Sequence, residues 1–151
     1  MLRQQISDAL KSAMKEKDGR STSTLRLILA ALKDRDIADR SKGNAEGLND
    51  DGILTLLQSM IKQRRESIAM YEKGGRMELA QGEAEEIAVI ERFLPAQMSD
   101  EEVTAAVIAM IEEVGAESIK EMGKVMGALK QKYSGQMDFS KAGAAVKERL
   151  G

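Results

Sequence analysis

The chain has 151 residues, of which 42% are hydrophobic and only 3% aromatic, with 23 basic against 25 acidic side chains for a net charge of −2. It contains neither cysteine nor histidine, which excludes disulfides, cysteine nucleophiles, Ser-His triads and zinc sites built on Cys or His. The near-neutral balance argues against a non-specific nucleic-acid coat and leaves room for a local basic face.

Any catalysis would have to use carboxylates, lysines and hydroxyls. A core of Leu, Ile, Met, Val and Ala suits helices better than sheets, so an all-α fold is expected. No run is long enough to span a bilayer, and charge breaks the apolar positions of the N-terminus every few residues. A soluble, cytoplasmic protein without membrane contact is the expectation.

Leu2, Ile6, Ala9, Leu10, Ala13 and Met14 recur at three and four. They predict a first helix from about residue 2 to Lys17, ending at Asp18-Gly19. The Ser21–Thr24 cluster opens a second, in which Leu25, Ile28, Leu29 and Leu32 form a stripe that Leu27 and Ala31 widen. Only Arg26, Lys33 and Asp34 then face water, so this helix is expected at the centre of its bundle. Residues 40–47 read as a mobile loop. Residues 1–43 carry 10 basic and 6 acidic side chains, an excess of four positive charges that also fits an ordinary solvated surface.

Asn49 is predicted to cap a third, long helix running to Lys73, with Gly74-Gly75 as its stop. Ile53, Leu56, Leu57, Met60, Ile61, Ile68 and Tyr71 share one face, and Arg64 falls in the middle of it. The fourth helix, from about Met77 to Leu94, places Leu79, Ile87, Ile90 and Leu94 on the same face as Glu83 and Glu86. Two antiparallel helices would bring Arg64 toward Glu83 and Glu86, an ion cluster that tolerates a desolvated guanidinium and sets the hairpin register. The carboxylates could instead serve acid–base or metal chemistry. Without histidine or a third clear acidic ligand, neither a catalytic residue nor a metal or cofactor site is assigned.

Pro95, the only proline, stops the fourth helix, and Ser99 with Glu102 forms a capping box that starts the next. We read the break as a hinge at Pro95 between an N-terminal four-helix part, 1–95, and a C-terminal three-helix bundle, 96–151. Val103, Ala106, Val107, Met110, Ile111 and Val114 give the fifth helix, closed by Gly115. Ser118 with Glu121 suggests a second capping box, opening a sixth helix through Ile119–Tyr133, and Asp138 caps a seventh.

The sixth helix carries a pattern that its own packing does not explain. Ile119, Met122, Val125, Met126, Leu129 and Tyr133 form its apolar arc, while Gly123 and Gly127 lie on one flank beside Lys120, Lys124 and Lys130. Each glycine costs a helix interior about 1 kcal/mol relative to alanine. Either another helix approaches closely there, or bare backbone flanked by lysines admits a phosphate chain, as in RNA-binding surfaces. A Walker-type phosphate loop is excluded by the residue order and the lack of a preceding strand.

Three stretches together resemble a known family: Leu25–Lys33; Lys62-Gln63-Arg64-Arg65-Glu66-Ser67 with Phe93-Leu94-Pro95; and Met122-Gly123-Lys124-Val125-Met126-Gly127 running on to Asp138 and Val146–Leu150. In this order and spacing they are similar to the YqeY-like proteins of the GatB/YqeY family, over essentially the whole chain. The resemblance implies that the part after Pro95 corresponds to the tail domain of the B subunit of the glutamine-dependent aspartyl/glutamyl-tRNA amidotransferase, a tail understood to help hold tRNA. The matching positions here are Gly123, Lys124, Gly127 and Lys130. The catalytic domain of that subunit, which uses ATP and magnesium, has no match in this chain, so a carbon-nitrogen ligase label with glutamine as amido donor would be inherited only. The expectation is a tRNA-binding or tRNA-amidotransferase-associated module without catalysis of its own. Its rivals are a helical protein-interaction adaptor and the inherited ligase.

Overall fold

A computed structural model describes residues 1–151 as seven α-helices and no strand: α1 (Leu2–Lys15), α2 (Gly19–Ser41), α3 (Asp50–Lys73), α4 (Met77–Glu91), α5 (Asp100–Val114), α6 (Met122–Lys132) and α7 (Phe139–Leu150). The protein is all-α, and the helices gather into two compact units, Met1–Leu94 and Pro95–Gly151. None of the helices is long and apolar enough to cross a membrane.

In the first unit α3 and α4 form a hairpin across Gly74-Gly75, where Gly75 takes a left-handed φ of +73° that glycine adopts without strain. Ile6, Leu25, Ile28, Leu32, Ile53, Leu57 and Ile90 are almost wholly buried and make its core. Asn49 caps α3 by accepting from the Gly52 amide at 2.9 Å.

Several boundaries differ from the sequence expectation. α1 ends at Lys15 rather than Lys17, and Asp18 acts as the start signal of α2 instead of a stop for α1. Its carboxylate accepts from the Ser21 amide at 3.1 Å and the Ser21 hydroxyl at 2.7 Å. Those two bonds hold the Asp18 carboxyl below its ordinary pKa and let the helix begin at Gly19. α4 stops at Glu91, and Phe93 and Leu94 close it with turn bonds to Ile90 and Glu91.

The second helix is also less central than its composition suggests. Its neighbours cover the Leu25–Ile28–Leu32 side, while Leu27 remains 47% and Ile37 53% exposed. The loop read as mobile is held by fixed contacts at its far end. Arg3 grips Asp36 with two nitrogens, at 2.6 and 3.1 Å, and donates to the Leu48 carbonyl at 2.9 Å. Asp36 in turn accepts from the Leu48 amide at 3.0 Å. Gly47 sits against this knot at φ +80°, where a Cβ would collide with the Asp36 carboxylate.

In the second unit the Ser99–Glu102 capping box forms with both bonds, 3.1 and 3.0 Å. Gly115 ends α5 at φ +74°, and Asp138 caps α7 through the Ser140 and Lys141 amides. Val107, Val125, Leu129, Met137, Ala142 and Val146 are completely buried. The entry segment is tied to the turn between α6 and α7, with the Met98 amide donating to the Gln136 carbonyl at 2.8 Å and the Gln97 side chain to that of Gly135 at 2.6 Å.

The second capping box does not form. Glu121 turns back to accept from the Glu117 amide at 3.2 Å, and the Ser118 side chain caps nothing. Ile119–Glu121 therefore make a single 3-10 turn, and the α-helix starts only at Met122.

Candidate nucleic-acid interface

The late start of α6 changes the standing of its glycines. Gly123 lies in the first turn, where amides lack intrahelical partners in any sequence, whereas Gly127 sits in the helix interior. α6 buries Val125 and Leu129, and on a helix of about 3.6 residues per turn Gly127 falls roughly opposite them, with Gly123 and Lys130 beside it. The glycines thus lie on the outer face rather than on a flank.

Lys120, Gly123, Lys124, Gly127 and Lys130 are all exposed. A Cβ added at Gly123 or Gly127 would meet nothing within 4 Å, so close approach by another helix of the same unit does not explain either glycine. The helix crossing that does use a small residue is elsewhere. Gly143 of α7 lies under the Met122 and Met126 methyl groups, which would stand 3.6 and 3.9 Å from its Cβ.

Charge on α5 and α6 is segregated by helix. α5 carries Asp100, Glu101, Glu102, Glu112 and Glu113 and no basic residue, while α6 carries Lys124, Lys130 and Lys132 and no acidic one. Lys141 of α7 is drawn to the acidic side, 2.8 Å from Asp100. Lys120, Lys124 and Lys130 form no ion pair, so their charge is presented to solvent around the bare backbone of Gly123 and Gly127.

The carboxylates of the first unit are arranged differently. Arg64 donates through Nε to Glu86 at 2.8 Å and through Nη1 to the Met60 carbonyl at 3.1 Å, with Glu83 farther off at 4.0 Å. Arg20, which the sequence reading did not assign to this cluster, lies 3.0 Å from Glu85 and 3.8 Å from Glu86. Glu86 is thereby shared between α3 and α2. Arg20 stands more than sixty residues away in the chain, and no local pattern could have signalled it. With two guanidinium groups facing them, these carboxylates are committed to charge pairing, and the protein has no group of three or more His, Cys, Asp or Glu side chains suited to a metal ion.

Two surface depressions are shallow and open. One is lined by Met14, Lys17, Gly19, Thr22, Ser23 and Arg26, the other by Asp100, Glu101, Thr104, Ala105 and Ile108 on α5. Neither includes the α6 glycines.

Comparison with known proteins agrees with the whole-chain resemblance. The chain is 31% identical over 111 residues to a Kluyveromyces lactis protein named altered inheritance of mitochondria protein 41, mitochondrial. The protein of the same name from Eremothecium gossypii is 32% identical over the same length. Each alignment covers 72% of this chain and 58% of the relative, so the chain matches little more than half the length of these relatives. An uncharacterized Schizosaccharomyces pombe protein is 28% identical over 100 residues, 66% of this chain and 74% of that one. Those names describe the yeast proteins and assign this chain neither compartment nor activity. The family model described as Yqey-like protein matches residues 3–150, nearly the whole chain, and the chain therefore belongs to the YqeY-like family.

Proposed function

We propose that this protein is a non-catalytic module that binds the phosphate backbone of RNA through the outer face of α6. The observation that carries the reading is the open space over Gly123 and Gly127, bordered by three lysines without ion-pair partners. Bare helix backbone lets a phosphate chain come nearer than any side chain would allow, and Lys120, Lys124 and Lys130 supply the neutralising charge. Such contacts fix orientation and carry little sequence information, so discrimination among RNAs would come from shape. Transfer RNA is the class that the family's shared tail suggests, and the same tail motivates association with a tRNA amidotransferase.

A protein-docking adaptor would need an apolar patch beside the glycines. Ile119 alone among the large apolar side chains of the second unit is well exposed, which favours the RNA reading. The test is binding of the purified chain to bulk tRNA across a salt series, with Lys120→Glu/Lys124→Glu alongside. The expected result is affinity that falls with salt in the wild type, the slope counting phosphate contacts, and that is largely lost in a variant of unchanged helicity. Absence of tRNA binding at low salt would overturn the proposal, as would ATP- and glutamine-dependent amidation by the chain alone.

A further inference from the structure

The segment between α4 and α5 is anchored from both of its ends. On the α4 side, Arg92 donates through Nη1 to the Ser21 hydroxyl at 3.3 Å. The Phe93 and Leu94 amides donate to the Ile90 and Glu91 carbonyls at 3.2 and 3.1 Å, and both side chains pack against the core of the first unit. On the α5 side, Met98 packs against the core of the second unit, and its amide is held by the Gln136 carbonyl. The Gln97 side chain reaches further back. Its amide nitrogen donates to the Gly135 carbonyl at 2.6 Å and to the Pro95 carbonyl at 2.9 Å, which fixes the peptide after Pro95 to the second unit.

Few backbone rotations are left between these anchors. Leu94 is held up to its α-carbon by the first unit. The Leu94–Pro95 peptide is trans and planar, and the pyrrolidine ring locks φ of Pro95 at about −65°. Rotation remains about the Cα–C bonds of Leu94 and Pro95. The first is confined, because the proline ring excludes the α-region for the residue before it and keeps Leu94 extended. The second has an extended and a helical well open to it at that φ. We infer that the two units are joined by a two-bond swivel rather than a flexible linker, and that Gln97 limits the motion to those bonds.

Such a joint allows a small set of discrete orientations, and a partner that touches both units would select among them. Pro95→Gly releases φ and lifts the restriction on Leu94. Gln97→Ala releases the Pro95 carbonyl and adds the torsions of Ala96. The swivel does not depend on RNA binding by α6.

Because the chain has no cysteine, nitroxide labels at Met70→Cys and Glu113→Cys, exposed positions of α3 and α5, report one distance between the units of the full chain by pulsed electron resonance. The otherwise wild-type chain is expected to give one or two narrow peaks. Pro95→Gly is expected to spread the distribution to roughly double its width, and Gln97→Ala to spread it by a smaller amount, with helicity unchanged in both. A distribution already as broad as that of Pro95→Gly would overturn the inference and leave the segment an ordinary flexible linker. Narrow peaks that persist in Pro95→Gly would overturn it as well, since something other than the joint would then set the orientation. A Gln97→Ala distribution identical to that of the parent would overturn the part given to Gln97.

Discussion

Gly127→Ala is expected to make the protein more stable and a poorer ligand for RNA. A glycine in a helix interior costs about 1 kcal/mol relative to alanine, because its backbone loses more freedom on folding. At Gly127 nothing offsets that gain: the added methyl points away from the core and meets no atom within 4 Å. The full amount, about 1 kcal/mol, should therefore appear as added stability of the second unit, equivalent to roughly 4–8 °C for a unit of this size class. Thermal unfolding gives the shift, and amide exchange of the α6 residues shows whether the gain is local. The same methyl would hold a phosphate away from the backbone, so tRNA affinity should fall a few-fold while the lysines stay in place. Unchanged or reduced stability would refute the account of Gly127 as an unstrained interior glycine. A stabilised variant that binds tRNA as tightly as wild type would refute the role given to bare backbone.

Arg64→Leu removes the principal partner of Glu86 but leaves Arg20 at 3.8 Å, so the expected loss is about 1.5–3 kcal/mol, typical of a hydrogen bond to a charged group, measured by urea unfolding. The Arg3 guanidinium, chiefly, and the Leu48 amide hold the Asp36 carboxyl below its ordinary pKa. Its contribution is therefore present above the unfolded value of about 3.9 and is lost as pH falls through the lower folded value. Asp36→Asn should accordingly be destabilising at neutral pH and approach wild-type stability in strong acid, in paired urea titrations. Ser99→Ala breaks a complete capping box and should cost about 1 kcal/mol, whereas Ser118→Ala, at a serine that caps nothing, should be close to neutral in the same assay. Thr24 is completely buried and its hydroxyl has no hydrogen-bond partner, so Thr24→Val, which keeps the shape, should stabilise by about 1 kcal/mol.

The features legible from sequence are those whose partners lie within a few residues. Ser99 and Glu102, Asn49, Asp138 and the Gly115 stop each combine a local signal with a local bond, and the structure contains them as expected. Ser118 and Glu121 share the same spacing, yet Glu121 has a competing amide at Glu117, and spacing alone cannot rank two acceptable donors. Asp18-Gly19 is ambiguous in a similar way, since the same pair can end one helix or begin the next. The knot of Arg3, Asp36 and Leu48 joins residues 33 and 45 positions apart and leaves no periodic trace. Periodicity found the apolar residues of α2 but carried no information on which of them the neighbouring helices would cover. The glycines of α6 were legible as an anomaly. That they face open space depended on where the helix begins and which side it buries.

The separation of acidic α5 from basic α6 also acts before any contact is made. Segregated charge gives this helix pair an electric dipole, and the field of the RNA proposed above would exert a torque on it during approach. Encounters would be turned so that α6 arrives first, while those that lead with α5 are repelled, and the bias would be felt over about a Debye length. Its signature is kinetic: reversing α5 acids such as Glu112 and Glu113 should alter the association rate and its salt dependence while leaving dissociation nearly unchanged.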